Sequence, residues 1–273
     1  MQQVHEATQG LGARPQVAPL GVSVLFATDE SDAARNGEEW IRRLRWARTP
    51  AVDVLTIAPR PGWVFGLGLQ TYRPAVRDAV ILARETELVE AQRVANGVGS
   101  RLQHAGIPVR VWARSGEAAD EILRASRMEG VDLVVLGSSG KAGRALPWGR
   151  SVSSHVARNA DVAVLVAQLP PPGDARLPRS IAILDVDDAA TAGALAWLTD
   201  TGWLDEAHVT RARPEGGDGR PTKDVFAAVL QEGTVDLAVV PGMHDRRAAD
   251  AVLRVADAAR VSVLLTPAPN RYR

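Results

Sequence analysis

Two stretches about a hundred residues apart read almost alike, and this recurrence constrains the fold more than any single motif does. Val131-Asp-Leu-Val-Val-Leu-Gly137 returns as Val235-Asp-Leu-Ala-Val-Val-Pro-Gly242, at an offset of 104 residues. His155-Val-Ala-Arg-Asn-Ala-Asp161 and the following Val162-Ala-Val-Leu-Val-Ala167 align without a gap on Arg254-Val-Ala-Asp-Ala-Ala-Arg260 and Val261-Ser-Val-Leu-Leu-Thr266, at an offset of 99. Leu25-Phe-Ala-Thr-Asp29 matches Ile183-Leu-Asp-Val-Asp187 at an offset of 158. Three collinear matches favour a tandem duplication over chance similarity between Val-rich strands. The second copy is shorter, since Asp29 to Asp132 spans 103 positions and Asp187 to Asp236 only 49. Its middle has been lost.

Apolar runs rich in β-branched residues alternate with stretches of helical period, the pattern of a parallel sheet covered by helices. In the first unit the strands are expected at Val22–Thr28, Val52–Ala58, Pro108–Ala113, Val131–Gly137 and Val162–Gln168. The helices are expected at Ser31–Arg48, Val76–His104, Glu117–Met128 and Ser151–Arg158. The aperiodic segment 59–75, with its prolines and glycines, reads as a loop long enough to cover a site. The second unit keeps strands at Ile181–Val186, His208–Ala212, Leu237–Val240 and Val261–Thr266. Helices fall around Ala189–Trp197, Lys223–Leu230 and Arg247–Ala259. Pro170, Pro171 and Pro172 with Gly173 punctuate the chain between the units. The expected division is a flexible lead-in over 1–21, a complete unit over 22–170, a Pro-rich linker over 171–179 and a reduced unit over 180–268.

Composition narrows the functional classes. The 273 residues carry 32 Lys+Arg against 32 Asp+Glu and no cysteine. Absence of cysteine removes disulfide frameworks, thiolate metal sites and thiol nucleophiles, and it fits a reducing compartment. Zero net charge with no basic tract argues against nucleic-acid binding. The longest apolar stretches are far below the roughly 20 residues a bilayer-spanning helix needs, and the first twenty residues lack a signal-peptide pattern. The expected location is the cytoplasm.

Ligands of an open parallel sheet bind beyond the carboxyl ends of its strands, and two such ends carry candidates. Asp29 follows the first strand. Gly137-Ser-Ser-Gly140-Lys-Ala-Gly143-Arg144 follows the fourth, and Arg150-Ser151-Val-Ser153-Ser154 opens a helix. Glycines admit phosphate oxygens close to backbone N–H groups, a helix N-terminus gathers free donors, and Ser hydroxyls with Lys141 or Arg144 can complete an anion site. A carboxylate at the first strand end can accept hydrogen bonds from a ribose hydroxyl or an adenine amino group. Taken singly, each feature has a plainer reading as a turn or a helix cap; their convergence on one edge of the fold favours nucleotide binding.

On these residues the chain resembles the universal stress protein family, whose nucleotide-binding members show Gly-x2-Gly-x9-Gly-Ser/Thr after the fourth strand and an Asp at the end of the first. Gly137, Gly140 and Ser151 stand at the required spacing. The resemblance covers 22–168 well and 180–266 in degenerate form, which implies the tandem type: two Rossmann-like, adenine nucleotide alpha hydrolase-like, doubly wound parallel α/β sheets, the second reduced. It implies ATP, with or without Mg2+, held by Ala27, Asp29, Ala58, Gly137, Ser138, Gly140, Lys141, Arg150, Ser151, Val152 and Ser153. It further implies a non-catalytic stress regulator or sensor, with at most weak ATP hydrolysis. The partners implied are adenine nucleotide and pairing of the two units within the chain, with homodimerisation open. The family's third glycine falls on Arg150, whose guanidinium either obstructs the phosphates or points at them. If it obstructs, the alternative is a structural or protein-interaction module that uses the fold for dimer-like assembly. The second unit has Gly242-Met-His-Asp245-Arg-Arg after its Val-Asp-Leu strand, without a second glycine or a Gly-Ser step, and is expected to bind no nucleotide.

Enzymatic readings are weaker. Ser139-Gly140-Lys141-Ala142 is not a Walker A loop, Gly137-Ser-Ser-Gly140 is not a nucleophile elbow, and the histidines form no His-x3-His pair. Ser151 and His155 lack a third orienting group. Asp185, Asp187 and Asp188 read better as a solvated strand end than as a cation site. Trp63, Phe65 and Tyr72 suit either stacking on a base or anchoring the loop.

Overall fold

A computed structural model describes residues 21–59, 74–128, 130–138, 151–184, 187–212, 227–230, 234–242 and 246–267 of the chain. The strands are β1 (Ser23–Ala27), β2 (Ala51–Ala58), β3 (Val109–Ser115), β4 (Leu133–Gly137), β5 (Ala163–Ala167), β6 (Ser180–Leu184), β7 (His208–Ala212), β8 (Leu237–Val240) and β9 (Ser262–Leu265). The helices are α1 (Asp32–Arg43), α2 (Pro74–His104), α3 (Ala118–Ser126), α4 (Val152–Asn159), α5 (Asp188–Thr201) and α6 (Arg246–Ala259). Residues 227–230 are also helical, while the rest of the helix expected at Lys223–Leu230 and the loop residues 60–73 lie outside the described residues.

All nine strands form one sheet in the order β3-β2-β1-β4-β5-β9-β8-β6-β7. Every neighbouring pair is parallel except β5 and β9, which meet antiparallel, with Val164 opposite Leu265 and Val166 opposite Val263. The first five strands follow the doubly wound order 3-2-1-4-5. On the far side of the β5–β9 joint, β7-β6-β8-β9 repeats the sequence 2-1-4-5, with no counterpart of β3 among the described residues.

Helices cover both faces, so the strands read as continuous apolar runs rather than as alternating ones. One core lies under α1, α2 and α5 and joins Phe26, Trp40, Val98 and Leu165 to Leu198, Trp203 and Leu264. The other lies under α3, α4 and α6 and joins Leu25, Ile122, Val134 and Val156 to Val240, Leu253 and Leu265. Each core therefore runs across the β5–β9 joint.

The repeated Val-Asp-Leu motif has a structural cause. Ahead of β4, Asp132 Oδ2 accepts the Ser23 N–H at 2.8 Å, while its own N–H donates to the Ser23 carbonyl at 2.9 Å. Ahead of β8, Asp236 Oδ2 accepts the Ser180 N–H at 3.1 Å and the Arg179 N–H at 2.8 Å, and its N–H donates to the Ser180 carbonyl at 3.0 Å. In both places the carboxylate fixes the start of the neighbouring strand.

Helix α1 departs from its expected course to Arg48. Ser31 caps it by accepting the Ala34 N–H at 3.2 Å, but it stops at Arg43, where Leu44 turns extended and pairs with Leu177. The Arg45 N–H then donates to the Leu177 carbonyl and the Ala47 N–H to the Thr201 carbonyl, both at 2.9 Å. Hydrogen bonds to the other half of the chain replace those of further helical turns. Trp46 is carried onto wholly buried Trp203, their ring centres 5.6 Å apart, and Trp197 also meets Trp203, at 5.2 Å. The Pro-rich connection is pinned too, because buried Arg43 donates to the carbonyls of Pro171 at 2.7 Å and Ala175 at 3.0 Å.

Candidate functional site

The chain leaves β1 toward β2 and β3 on one side and returns to β4 and β5 on the other, so strand order reverses between β1 and β4. Crevices of this kind take ligands at the carboxyl ends of the strands. Pairing brings the expected residues to that end: Ala27 stands beside Leu136 of β4 and Leu55 of β2, and buried Ala58 closes β2. Asp29 lies exposed just beyond β1, with Oδ1 accepting the Ser31 N–H at 3.0 Å. The turn that carries it is anchored from α2. Arg101 donates to Glu38 on α1 at 2.8 Å and to Glu30 at 3.1 Å, and Glu30 holds a left-handed φ of 60°. Hydrogen bonding to Glu38 is the largest of the influences that push the Arg101 pKa further above the ordinary arginine value, so the tie stays charged at any working pH.

Gly137 ends β4 directly beneath the first turn of α1. A Cβ there would overlap the Ala33 carbonyl and stand 2.6 Å from the Ala34 nitrogen. The glycine thus has a packing reason independent of any ligand. Ser138 follows it, buried, and its N–H donates to the Ala167 carbonyl at 2.9 Å.

Helix α4 starts nearby. Ser151 is its N-cap, with Oγ accepting the Ser154 N–H at 3.2 Å and lying 2.7 Å from Ser154 Oγ. His155 meets Ser151 only through the main chain, as an ordinary helix bond. Val152 is partly exposed, Ser153 is buried, and the first turn holds no acidic residue, so no side chain of the helix's own first turn offsets the positive end of its dipole. Ser138, Ser153 and Ser154 line one small pocket of about 10 Å³ together with Asp257 of α6. Of the sequence-derived set, Ala27, Asp29, Ala58, Gly137, Ser138, Ser151, Val152 and Ser153 belong to this edge of the sheet. Gly140, Lys141 and Arg150 lie outside the described residues, as do Trp63, Phe65, Tyr72 and Asp185.

Sequence reasoning missed Asp257. Its Oδ1 accepts the Ser138 hydroxyl at 3.2 Å and the Gln168 Nε2–H at 2.8 Å. The sequence match at an offset of 99 aligns it with Arg158, where it reads as an unremarkable charge on a helix surface. Of the acidic cluster Asp185, Asp187 and Asp188, Asp187 is the N-cap of α5 and accepts the Ala190 N–H at 2.7 Å, and Asp188 opens that helix. No group of three or more His, Cys, Asp or Glu suited to a metal ion occurs among the described residues. No described helix is long and apolar enough to cross a membrane.

A cleft of about 520 Å³ opens near the amino ends of β2, β3 and β7, between Trp46, Gly106 and Asp205. Its guanidinium groups are engaged within the protein: Arg42 with Glu39, Arg45 with Glu206, and Arg176 with the Arg42 carbonyl at 3.2 Å. It offers little free chemistry.

Residues 23–168 match the model of the universal stress protein family. A universal stress protein from Archaeoglobus fulgidus superposes with a TM-score of 0.63 at 16% identity, over 90% of this chain and 96% of that one. A putative universal stress protein from Pseudomonas aeruginosa superposes with a TM-score of 0.56 at 15% identity, over 92% and 95% of the two chains. At these identities the likeness is one of fold. No curated protein matches the chain in sequence. The family model spans more than half of the chain and coincides with β1 through β5 and the switch point between β1 and β4; the chain belongs to the universal stress protein family.

Proposed function

We propose that the chain is an ATP-binding, non-catalytic stress regulator with a single nucleotide site at the β1/β4 switch point. The observation that carries this reading is the meeting, at one sheet edge, of the Asp29 turn, Gly137-Ser138 and the acid-free N-terminus of α4. Asp29 suits ribose or adenine. The backbone and hydroxyls of 151–153 suit phosphate oxygens. Gly140, Lys141 and Arg150 enter the proposal from sequence spacing alone, and Mg2+ enters as the usual companion of a triphosphate.

We further propose that residues 180–268 are a reduced second copy that binds no nucleotide. Pro241 and Gly242 stand where the first unit has Gly137 and Ser138, and the Asp132 and Asp236 hydrogen bonds recur in register. Antiparallel β5–β9 pairing makes the two copies one sheet, a dimer-like arrangement inside one polypeptide. Neutral charge and absence of cysteine fit a cytoplasmic regulator.

The test is to denature freshly purified protein, identify any released nucleotide by mass spectrometry, and titrate ATP with and without Mg2+. Adenine nucleotide and a measurable affinity are expected, and Gly140→Val should abolish both. No nucleotide and no affinity would leave the second reading, a structural or protein-interaction module. That reading is favoured by the packing of Gly137 on Ala33 and the internal bonding of Ser151, which give both residues a purely structural role.

A further inference from the structure

We propose that Asp257 is a positioning residue through which the C-terminal half controls the glycine-loop site of the N-terminal half. The inference rests on the nucleotide reading above for its functional consequence, but its geometry stands by itself. Asp257 belongs to α6, which packs against α4 across the joint. A single oxygen, Oδ1, accepts two hydrogen bonds, from Ser138 Oγ at 3.2 Å and from Gln168 Nε2 at 2.8 Å.

Those two donors sit one residue beyond the ends of β4 and β5, the strands that lead to the glycine loop and to the joint. Gln168 is held a second time across the joint, its N–H donating to Ser262 Oγ at 2.9 Å. Ser138 is buried beside Ser153 and Ser154 in a space of about 10 Å³, room for a water molecule at most. Ser138 therefore has little freedom to reorient, and its hydroxyl proton is directed at Asp257 instead of at a ligand.

The consequence is a specific division of labour. The hydroxyl of Ser138 does not coordinate phosphate; it is the handle by which α6 fixes the first residue after Gly137 at the carboxyl end of β4. Reciprocity follows: whatever moves α6 alters nucleotide affinity, and nucleotide binding in turn tightens α6 against α4.

The full-length protein tests this with ATP as the probe. Asp257→Ala removes both acceptor contacts and is expected to raise the Kd for ATP about tenfold. Asp257→Asn keeps an oxygen that can accept both bonds and is expected to stay within about twofold of the parent. In a Ser138→Ala background, Asp257→Ala is expected to cost less than about threefold, since the coupled partner is gone. Unchanged affinity in Asp257→Ala overturns the proposal, and so does an equal loss in Asp257→Asn, which would assign the effect to charge.

A measurement without nucleotide separates this proposal from the one it rests on. Amide hydrogen exchange of the peptide containing Gly137 and Ser138 should accelerate in Asp257→Ala and remain as in the parent in Asp257→Asn. If the parent protein binds no ATP, the nucleotide reading fails, and the exchange result alone decides whether Asp257 holds Ser138 and the end of β4. Equal exchange in all three proteins overturns the positioning role.

Discussion

Arg110 and Asp53 face each other across the β2–β3 pair as register partners, each of two guanidinium nitrogens lying 2.6 Å from a different carboxylate oxygen. The Asp53 side chain is 5% exposed and that of Arg110 34%. Removing the guanidinium takes a two-point charged partner from a buried carboxylate, whereas removing the carboxylate leaves a cation that can turn to water. Arg110→Ala is expected to destabilise by about 3 kcal/mol, the lower end for broken buried pairs because Arg110 is partly solvent-screened. Adding Asp53→Asn should recover at least half of that loss. Urea unfolding of the three variants checks both statements, and a double variant no more stable than Arg110→Ala would contradict the argument.

Asp132 and Asp236 perform the same strand-tying role but differ in exposure, Asp132 being exposed and Asp236 buried. Asp236→Ala leaves the N–H groups of Arg179 and Ser180 without their acceptor and should cost about 2 kcal/mol. Asp132→Ala should cost less than about 1 kcal/mol, because water replaces the exposed carboxylate. Thermal unfolding with the two variants side by side tests the order.

Gly137→Ala forces the backbone of β4 and the first turn of α1 apart. Stability should fall by about 1–3 kcal/mol, the usual cost of overpacking, whether or not ATP is present. The comparison of interest is with Gly140→Val, for which nucleotide affinity is expected to go while thermal stability stays near that of the parent.

Asp187→Ala removes the N-cap of α5 and is expected to lower stability by about 1 kcal/mol with no change in ATP affinity. Ser151→Ala removes the cap of α4 at similar cost and should also weaken ATP binding. Equal effects of the two on affinity, measured by calorimetric titration, would contradict the assignment of the site to the first half.

Much of the architecture was legible because its strands are short apolar runs between clear breaks. β7 and β8 fall on the expected His208–Ala212 and Leu237–Val240, and the other strands within two residues of expectation. The exceptions have non-local causes. The residues that follow Arg43 in sequence keep a helical pattern, yet Leu177 and Thr201 claim the Arg45 and Ala47 N–H groups and end α1 early. Gly137 was visible as a glycine at a strand end, but its contact with Ala33 depends on how α1 crosses β4. Asp257 was invisible as a partner of Ser138, because nothing in a sequence separation of 119 residues marks the two for contact.

The antiparallel meeting of β5 and β9 has a consequence for how this molecule can change over generations. When two identical chains join along one edge strand, every substitution appears on both sides of the seam and must suit itself. Here the two sides are encoded separately. Val164 and Leu265 can drift independently while remaining opposite each other, and a one-sided contact such as Asp257 on Ser138 can arise with no mirror image. The joint also cannot come apart on dilution, since its halves share one backbone and a fixed local concentration. Such a seam lets either side change without imposing the same change on the other.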